Sequence, residues 1–257
     1  MDTLAELRAG RLAGAKRIDL SCGLTEFPRE IYDLADSLEV LNLSGNALDA
    51  LPDDLGRLHR LRVLFCSDNR FTQLPESIGR CQGLEMVGFK ANRIRNVPAA
   101  ALQLPSLRWL ILTDNQVETL PEAIGQCTRM QKLMLAGNQL RALPESLSAC
   151  SELEMLRTSA NRFEVLPELV FSLPRLSWLA GAGNPYDARA EDAAIATQSV
   201  PRVHWRELAL GEKLGEGASG VIYRATLGAA SQPVAVKLFK GAGGGGGRAH
   251  RGKGASI

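Results

Sequence analysis

Residues 107–129 read LRWLILTDNQVETLPEAIGQCTR, and residues 38–60 read LEVLNLSGNALDALPDDLGRLHR. Laid one over the other, the two stretches share an asparagine at the ninth position, a proline at the fifteenth and the same spacing of leucines. The register extends well beyond them. Asn46, Asn69, Asn92, Asn115, Asn138, Asn161 and Asn184 stand 23 residues apart without a slip, and Pro52, Pro75, Pro98, Pro121, Pro144 and Pro167 keep the same step. A fixed period of this length is the mark of stacked repeat units. Within each unit the leucines around Leu110 and Leu112 alternate with period two, as in a half-buried strand, and the residues after the proline return on another period. One strand and one return arc make a coil. A lone coil cannot bury its leucines, so the coils must stack into a curved parallel sheet around a continuous core.

The repeated asparagine and proline each have a physical reason. Each asparagine falls where the chain turns off the strand, and its amide can satisfy backbone groups that the turn leaves unpaired inside the stack. Each proline is expected at the first position of a short return helix, where its missing N–H has no partner to lose, with Asp53, Glu76, Glu122, Glu145 and Glu168 next to it at the favourable end of the helix dipole. Six complete repeats begin at Leu38, Leu61, Leu84, Leu107, Met130 and Leu153. A degraded one precedes them (Ile18, Leu20, Phe27, Pro28) and a partial one follows (Leu176, Leu179, Asn184). Residues 2–14 are predicted to form a capping helix, and the first turn, one residue short and holding Cys22, should differ from the others.

The template LxxLxLxxNxLxxLPxxLxxL resembles the leucine-rich-repeat family in its 23-residue intracellular form. That resemblance implies an α/β solenoid with short helical or irregular convex arcs and a protein partner on the concave face.

The strand residues between the leucines point to that face. One row reads Val40, Val63, Met86, Trp109, Lys132, Met155, Trp178, and the other Asn42, Phe65, Gly88, Ile111, Met134, Arg157, Ala180. Apolar and aromatic residues suit any pleated sheet. Here, however, Phe65, Met86, Trp109, Ile111 and Met134 fall in adjacent repeats and would make one contiguous patch, the usual sign of an interaction site. With Lys132, Met155, Arg157 and Trp178 they form the candidate partner-binding set, and Lys90, Lys132 and Arg157 with Asp68, Asp114 and Glu154 are expected to supply a mixed polar rim.

Composition narrows the alternatives. Thirty Lys and Arg against 28 Asp and Glu give a net charge of +2, which argues against nucleic acid or an acidic membrane as the partner. The opening MDTLAELRAG has neither the positive start nor the apolar stretch of a secretion signal, and no run is long enough to span a bilayer, so a cytoplasmic monomer is expected. Cys81, Cys127 and Cys150 occupy the step held elsewhere by Leu58, Leu104 and Leu173, and Cys66 replaces Leu43, which makes all four small core hydrophobes rather than disulfide or zinc ligands. His59, His204 and His250 show no triad or ligand spacing, which leaves a hydrolase or metal enzyme a distant reading.

After Asn184-Pro185 the repeat stops. A linker over 189–204, with a short helix predicted at 191–196, leads to ELALGEKLGEGASGVIYRATLGAASQPVAVKLFK. Gly215-Glu216-Gly217-Ala218-Ser219-Gly220 is a G-x-G-x-x-G followed by a strand (Val221, Ile222, Tyr223) rather than a helix, and a further strand ends in Val234-Ala235-Val236-Lys237. This order resembles the start of the protein-kinase domain and covers about residues 205–240: three antiparallel strands with a turn at Gly228–Ser231. The resemblance implies ATP with Mg²⁺ as cofactor, Leu214 and Ile222 flanking the adenine, the loop from Gly215 to Gly220 (with Glu216, Gly217, Ala218 and Ser219) over the phosphates, Val221 in the same cofactor-binding set, and Lys237 paired with the α- and β-phosphates.

No Asp or Glu follows Glu216, and the H-R-D and D-F-G motifs that would hold Mg²⁺ and orient a hydroxyl are not in the sequence. Residues 241–257 are instead a Gly-rich basic stretch expected to be disordered, as after a truncation or frameshift. The domains expected are 1–37 (cap and degenerate repeat), 38–188 (repeats), 189–204 (linker), 205–240 (kinase-like N-lobe fragment) and 241–257 (tail). Two functions follow: a leucine-rich-repeat protein kinase homologue, inactive in this chain, or a binding scaffold with a vestigial kinase-like tail.

Overall fold

The computed structural model describes residues 3–186, 203–217, 220–228 and 232–239. The predicted helix at 191–196, most of the linker, the tail and residues Ala218 and Ser219 lie outside the described residues. The chain divides into two compact units, residues 1–193 and 194–257.

In the first unit a helix α1 (Thr3–Arg8) precedes eight three-residue strands: β1 (Arg17–Asp19), β2 (Val40–Asn42), β3 (Val63–Phe65), β4 (Met86–Gly88), β5 (Trp109–Ile111), β6 (Lys132–Met134), β7 (Met155–Arg157) and β8 (Trp178–Ala180). They pair in sequence order, every pair parallel, with a residue always opposite its counterpart one repeat on, as Leu110 is opposite Leu133. The core runs unbroken behind the sheet. Leu41, Leu64, Val87, Leu110, Leu133 and Leu156 are almost wholly buried, joined by Phe71, Phe89 and Phe163. Each such side chain contributes ~1.5–3 kcal/mol relative to exposure. The four core cysteines are buried as expected. Burial pushes Cys81 and Cys127 up to about 12 and Cys150 up to about 11, so these thiols stay protonated and unreactive.

The asparagine column is buried from Asn69 to Asn184, with Asn46 half-buried at its start. Asn115 Oδ1 accepts from Ile94 N at 2.9 Å, and its Nδ2 donates to Phe89 O at 2.9 Å in the preceding repeat and to Leu112 O at 3.0 Å in its own. Asn92, Asn138 and Asn161 repeat this pattern. The short first turn does differ: Asn46 Oδ1 accepts from both Cys22 N and Leu24 N, around Gly23 at φ +76°.

Three expectations need correction. The cap is shorter than predicted, since the helix stops at Arg8 and turns with Gly10 and Gly14 at positive φ carry the chain to β1. The arcs are 3-10 turns of three to six residues, and the prolines stand just before them rather than inside. Pro28, Pro75, Pro98, Pro121, Pro144 and Pro167 are extended, with ψ from 114° to 153°, and the acidic residue, where present, opens the turn. Proline's fixed φ suits either place, but the extended ψ re-aims the chain onto the convex side before it coils. Pro52 departs further: its turn begins only at Leu55, so Asp53 does not open it.

The second unit contains β9 (Leu208–Gly217), β10 (Gly220–Leu227) and β11 (Gln232–Phe239), an antiparallel sheet with β10 in the middle. Ala225 and Val236 are its buried residues among those described.

Candidate functional site

The concave face is laid out by the strand register. Val40, Val63, Met86, Trp109, Lys132, Met155 and Trp178 are successive cross-strand neighbours, and so are Asn42, Phe65, Gly88, Ile111, Met134, Arg157 and Ala180. Because every strand is three residues long, its outer two side chains face out while the middle one enters the core. The face residues are therefore placed by the buried leucine between them.

Phe65, Met86, Trp109, Ile111, Lys132, Met134 and Met155 are each half-buried by their neighbours, whereas Arg157 and Trp178 are exposed. Two contacts shape the middle of the patch. Gly88 is buried because Phe65 leans across it: a Cβ at Gly88 would stand 2.7 Å from Phe65 Cδ1 and 3.8 Å from Ile111 Cδ1. The missing side chain thus lets Phe65 lie towards Ile111 as one apolar surface. Lys132 was expected on the rim, yet its Nζ sits 3.9 Å from the centroid of the Trp109 ring. An ammonium over an indole is attracted by the ring quadrupole, so Lys132 belongs to the centre of the patch and brings a positive charge there. Lys90, Asp68, Asp114 and Glu154 are exposed, in the residues that flank the strands carrying it.

What sequence reasoning missed was Gly88, which stands in the row without a role of its own. Its signal was a glycine inside a strand, which commonly marks a close approach by a neighbour.

In the second unit the backbone of Gly217, at the end of β9, pairs with that of Gly220, at the start of β10. The register shifts between Ile222 and Tyr223, opposite Gly215 and Lys213, which marks a bulge at Leu214. Leu214 and Ile222 are exposed, at 50% and 38%, and Val221 is half-buried. The backbone of Lys237 pairs with that of Ile222. Among the described residues no three His, Cys, Asp or Glu side chains converge in a way that would hold a metal ion, and no helix is long and apolar enough to cross a membrane.

Comparison with known proteins bears on the repeats. Family models described as leucine rich repeat match residues 37–58, 60–81 and 82–140. A leucine-rich-repeat protein of Leptospira interrogans is 30% identical in sequence, superposes with a TM-score of 0.51 and is matched over 63% of this chain and 47% of its own. An internalin of Listeria monocytogenes, 19% identical, superposes with a TM-score of 0.58 over 69% of this chain and 51% of its own, a likeness of fold alone. The chain thus spans about half the length of each of these structures. No curated protein matches the sequence. The chain carries leucine-rich repeats, and its eight-stranded parallel sheet is the solenoid into which they fold.

Proposed function

We propose that the solenoid is a protein-binding scaffold that takes its partner on the concave face, centred on Trp109, Ile111 and Met134. The observation that carries this reading is the contiguous apolar surface from Phe65 to Met134 on a side of the sheet that the core does not require to be apolar. Aromatic and Met residues grouped in this way are the composition of interface centres. Five free thiols, four of them buried, suit a cytoplasmic setting. The double substitution Trp109→Ser, Met134→Ser removes half-buried side chains only, so the melting temperature should fall by no more than a few degrees. Recovery of binding partners from a cell extract, identified by mass spectrometry, should be lost. Equal recovery by wild type and variant refutes the assignment.

A second reading concerns residues 205–240. The antiparallel order of β9–β11, the glycine-rich connection and the V-A-V-K strand support a kinase-type N-lobe fragment whose full-length relatives transfer phosphate from ATP to protein. Exposed Leu214 and Ile222 fit the apolar contact that an adenine needs, and the Gly215–Gly220 backbone with Lys237 would meet the phosphates. Mg²⁺ would hold the β- and γ-phosphates in line for transfer. Residues 217–257 contain no Asp or Glu to bind it, so the fit is incomplete. Calorimetric titration of the whole chain with Mg-ATP should give no micromolar binding. A micromolar isotherm that vanishes in Lys237→Ala would show a working nucleotide site instead.

A further inference from the structure

The residue immediately before each strand of the solenoid belongs to a column along one edge of the sheet: Lys16, Glu39, Arg62, Glu85, Arg108, Gln131, Glu154 and Ser177. Through its first half the signs alternate and neighbours pair. Lys16 Nζ lies 3.1 Å from Glu39 Oε1, and Arg62 Nη2 lies 2.6 Å from Glu85 Oε1. At Gln131 the alternation stops. Arg108 Nη2 donates to Gln131 Oε1 at 3.0 Å, a bond that satisfies the donor and leaves the charge uncancelled. A glutamate there would have added an exposed ion pair of only ~0.2–1 kcal/mol, so the fold loses little by its replacement.

A second unbalanced charge stands beside the first. Arg129 is exposed two residues before Gln131 and forms no ion pair among the described residues. Arg108 and Arg129 line an open groove of about 620 Å³ together with the hydroxyl-bearing Ser106, Thr128 and Ser151. The two carboxylates in its wall are already held, Glu85 by Arg62 and Glu152 by Arg175. The groove therefore presents two guanidinium groups without counter-ions and three hydroxyls, and Arg108 is the chain neighbour of Trp109 at the centre of the apolar patch.

We propose that this groove receives the carboxylates of an acidic peptide segment of the protein partner, while an apolar residue of the same segment rests on Trp109 and Ile111. The inference rests on the concave-face reading above and specifies the chemistry of the partner. Guanidinium forks match carboxylates in geometry as well as charge, and hydroxyls can donate to their remaining lone pairs. A charged groove at the rim of an apolar centre steers the encounter and fixes its register. The intact ion pairs of the earlier repeats offer no such charge, which confines the acidic end of the segment to the stretch between the fourth and seventh strands.

The test is selection of random displayed dodecapeptides on the immobilised full chain. The selected peptides should carry Asp or Glu within a few residues of an aromatic or aliphatic side chain. A synthetic copy of one should bind Arg108→Gln, Arg129→Gln about tenfold more weakly at low ionic strength, with the difference shrinking as salt is added. Arg108→Lys, Arg129→Lys should recover most of the affinity, and melting curves establish that both variants fold. Peptides without acidic enrichment, or binding indifferent to neutralising the arginines, overturn the inference; if such peptides still fail on Trp109→Ser, Met134→Ser, the concave-face reading stands without it. Acidic peptides indifferent to Trp109→Ser, Met134→Ser overturn the proposed span from groove to patch. Recovery of no peptide at all overturns both.

Discussion

The Asn115 carboxamide does the work of a missing backbone partner in two repeats at once. It accepts from Ile94 N and donates to Phe89 O in one coil, and donates to Leu112 O and Thr113 O in its own, so the turn after each strand is stitched to the turn before it. No other side chain of this size offers an acceptor and two donors in a plane without charge. That requirement is why the asparagine period could be read directly from the sequence. Asn115→Ala leaves the buried Ile94 N–H without its acceptor and takes one of two donors from Phe89 O and from Leu112 O, and should cost about 1–3 kcal/mol, read as a lower midpoint in urea. A midpoint equal to wild type would mean that water or a shifted backbone supplies the same bonds. By contrast, the role of Lys132 was not legible. A lysine in a row of apolar residues reads as a rim charge until the ring of Trp109, one repeat back, is seen 3.9 Å from its ammonium.

The convex arcs are the element where sequence and structure part most, and the reason is crowding. Strands repeat because the ladder spacing is fixed, whereas each arc settles on the bulk of the next. Gly79, itself buried in the turn Glu76–Arg80, packs so closely on the turn at Ala99–Leu102 that an added Cβ would collide with the carbonyl oxygen of Ala100. Nothing in the local sequence of one repeat announces this, because the colliding atom belongs to the following one. Gly79→Ala should therefore destabilise the solenoid by about 1–3 kcal/mol, the reverse of the gain expected for the same change in an open helix. Gly56→Ala, whose Cβ would meet Arg80 Cβ at 3.0 Å and Arg80 O at 3.1 Å, should cost less. Equal urea midpoints for the two variants would show that the neighbouring arc yields freely.

For the molecule as a whole, the eight-strand stack was legible because one period governs it from Leu20 to Asn184, while its uneven burial was not, since every repeat carries the same leucines. Leu179 occupies the position of Leu110 but is 37% exposed where Leu110 is 1% exposed, and towards the same end of the stack Phe171 is 78% and Trp178 55% exposed. In a solenoid each coil is stabilised by its two neighbours, so stability is a sum of nearest-neighbour interfaces, and among the described residues the coil of β8 has a neighbouring strand on one side alone. Local opening should then begin at β8 and progress inward. Two amides isolate this effect from bond geometry. Trp109 N and Trp178 N each donate at 3.0 Å, to Glu85 O and Glu154 O, the same bond made at the middle and at the end of the sheet. Hydrogen exchange of the whole chain should find the Trp178 amide at least about tenfold less protected than that of Trp109, since a tenfold difference corresponds to only ~1.4 kcal/mol of opening free energy. Equal protection of the two would mean that the terminal coil is held as firmly as the central ones, and nearest-neighbour stacking would then fail as the account of what stabilises this fold.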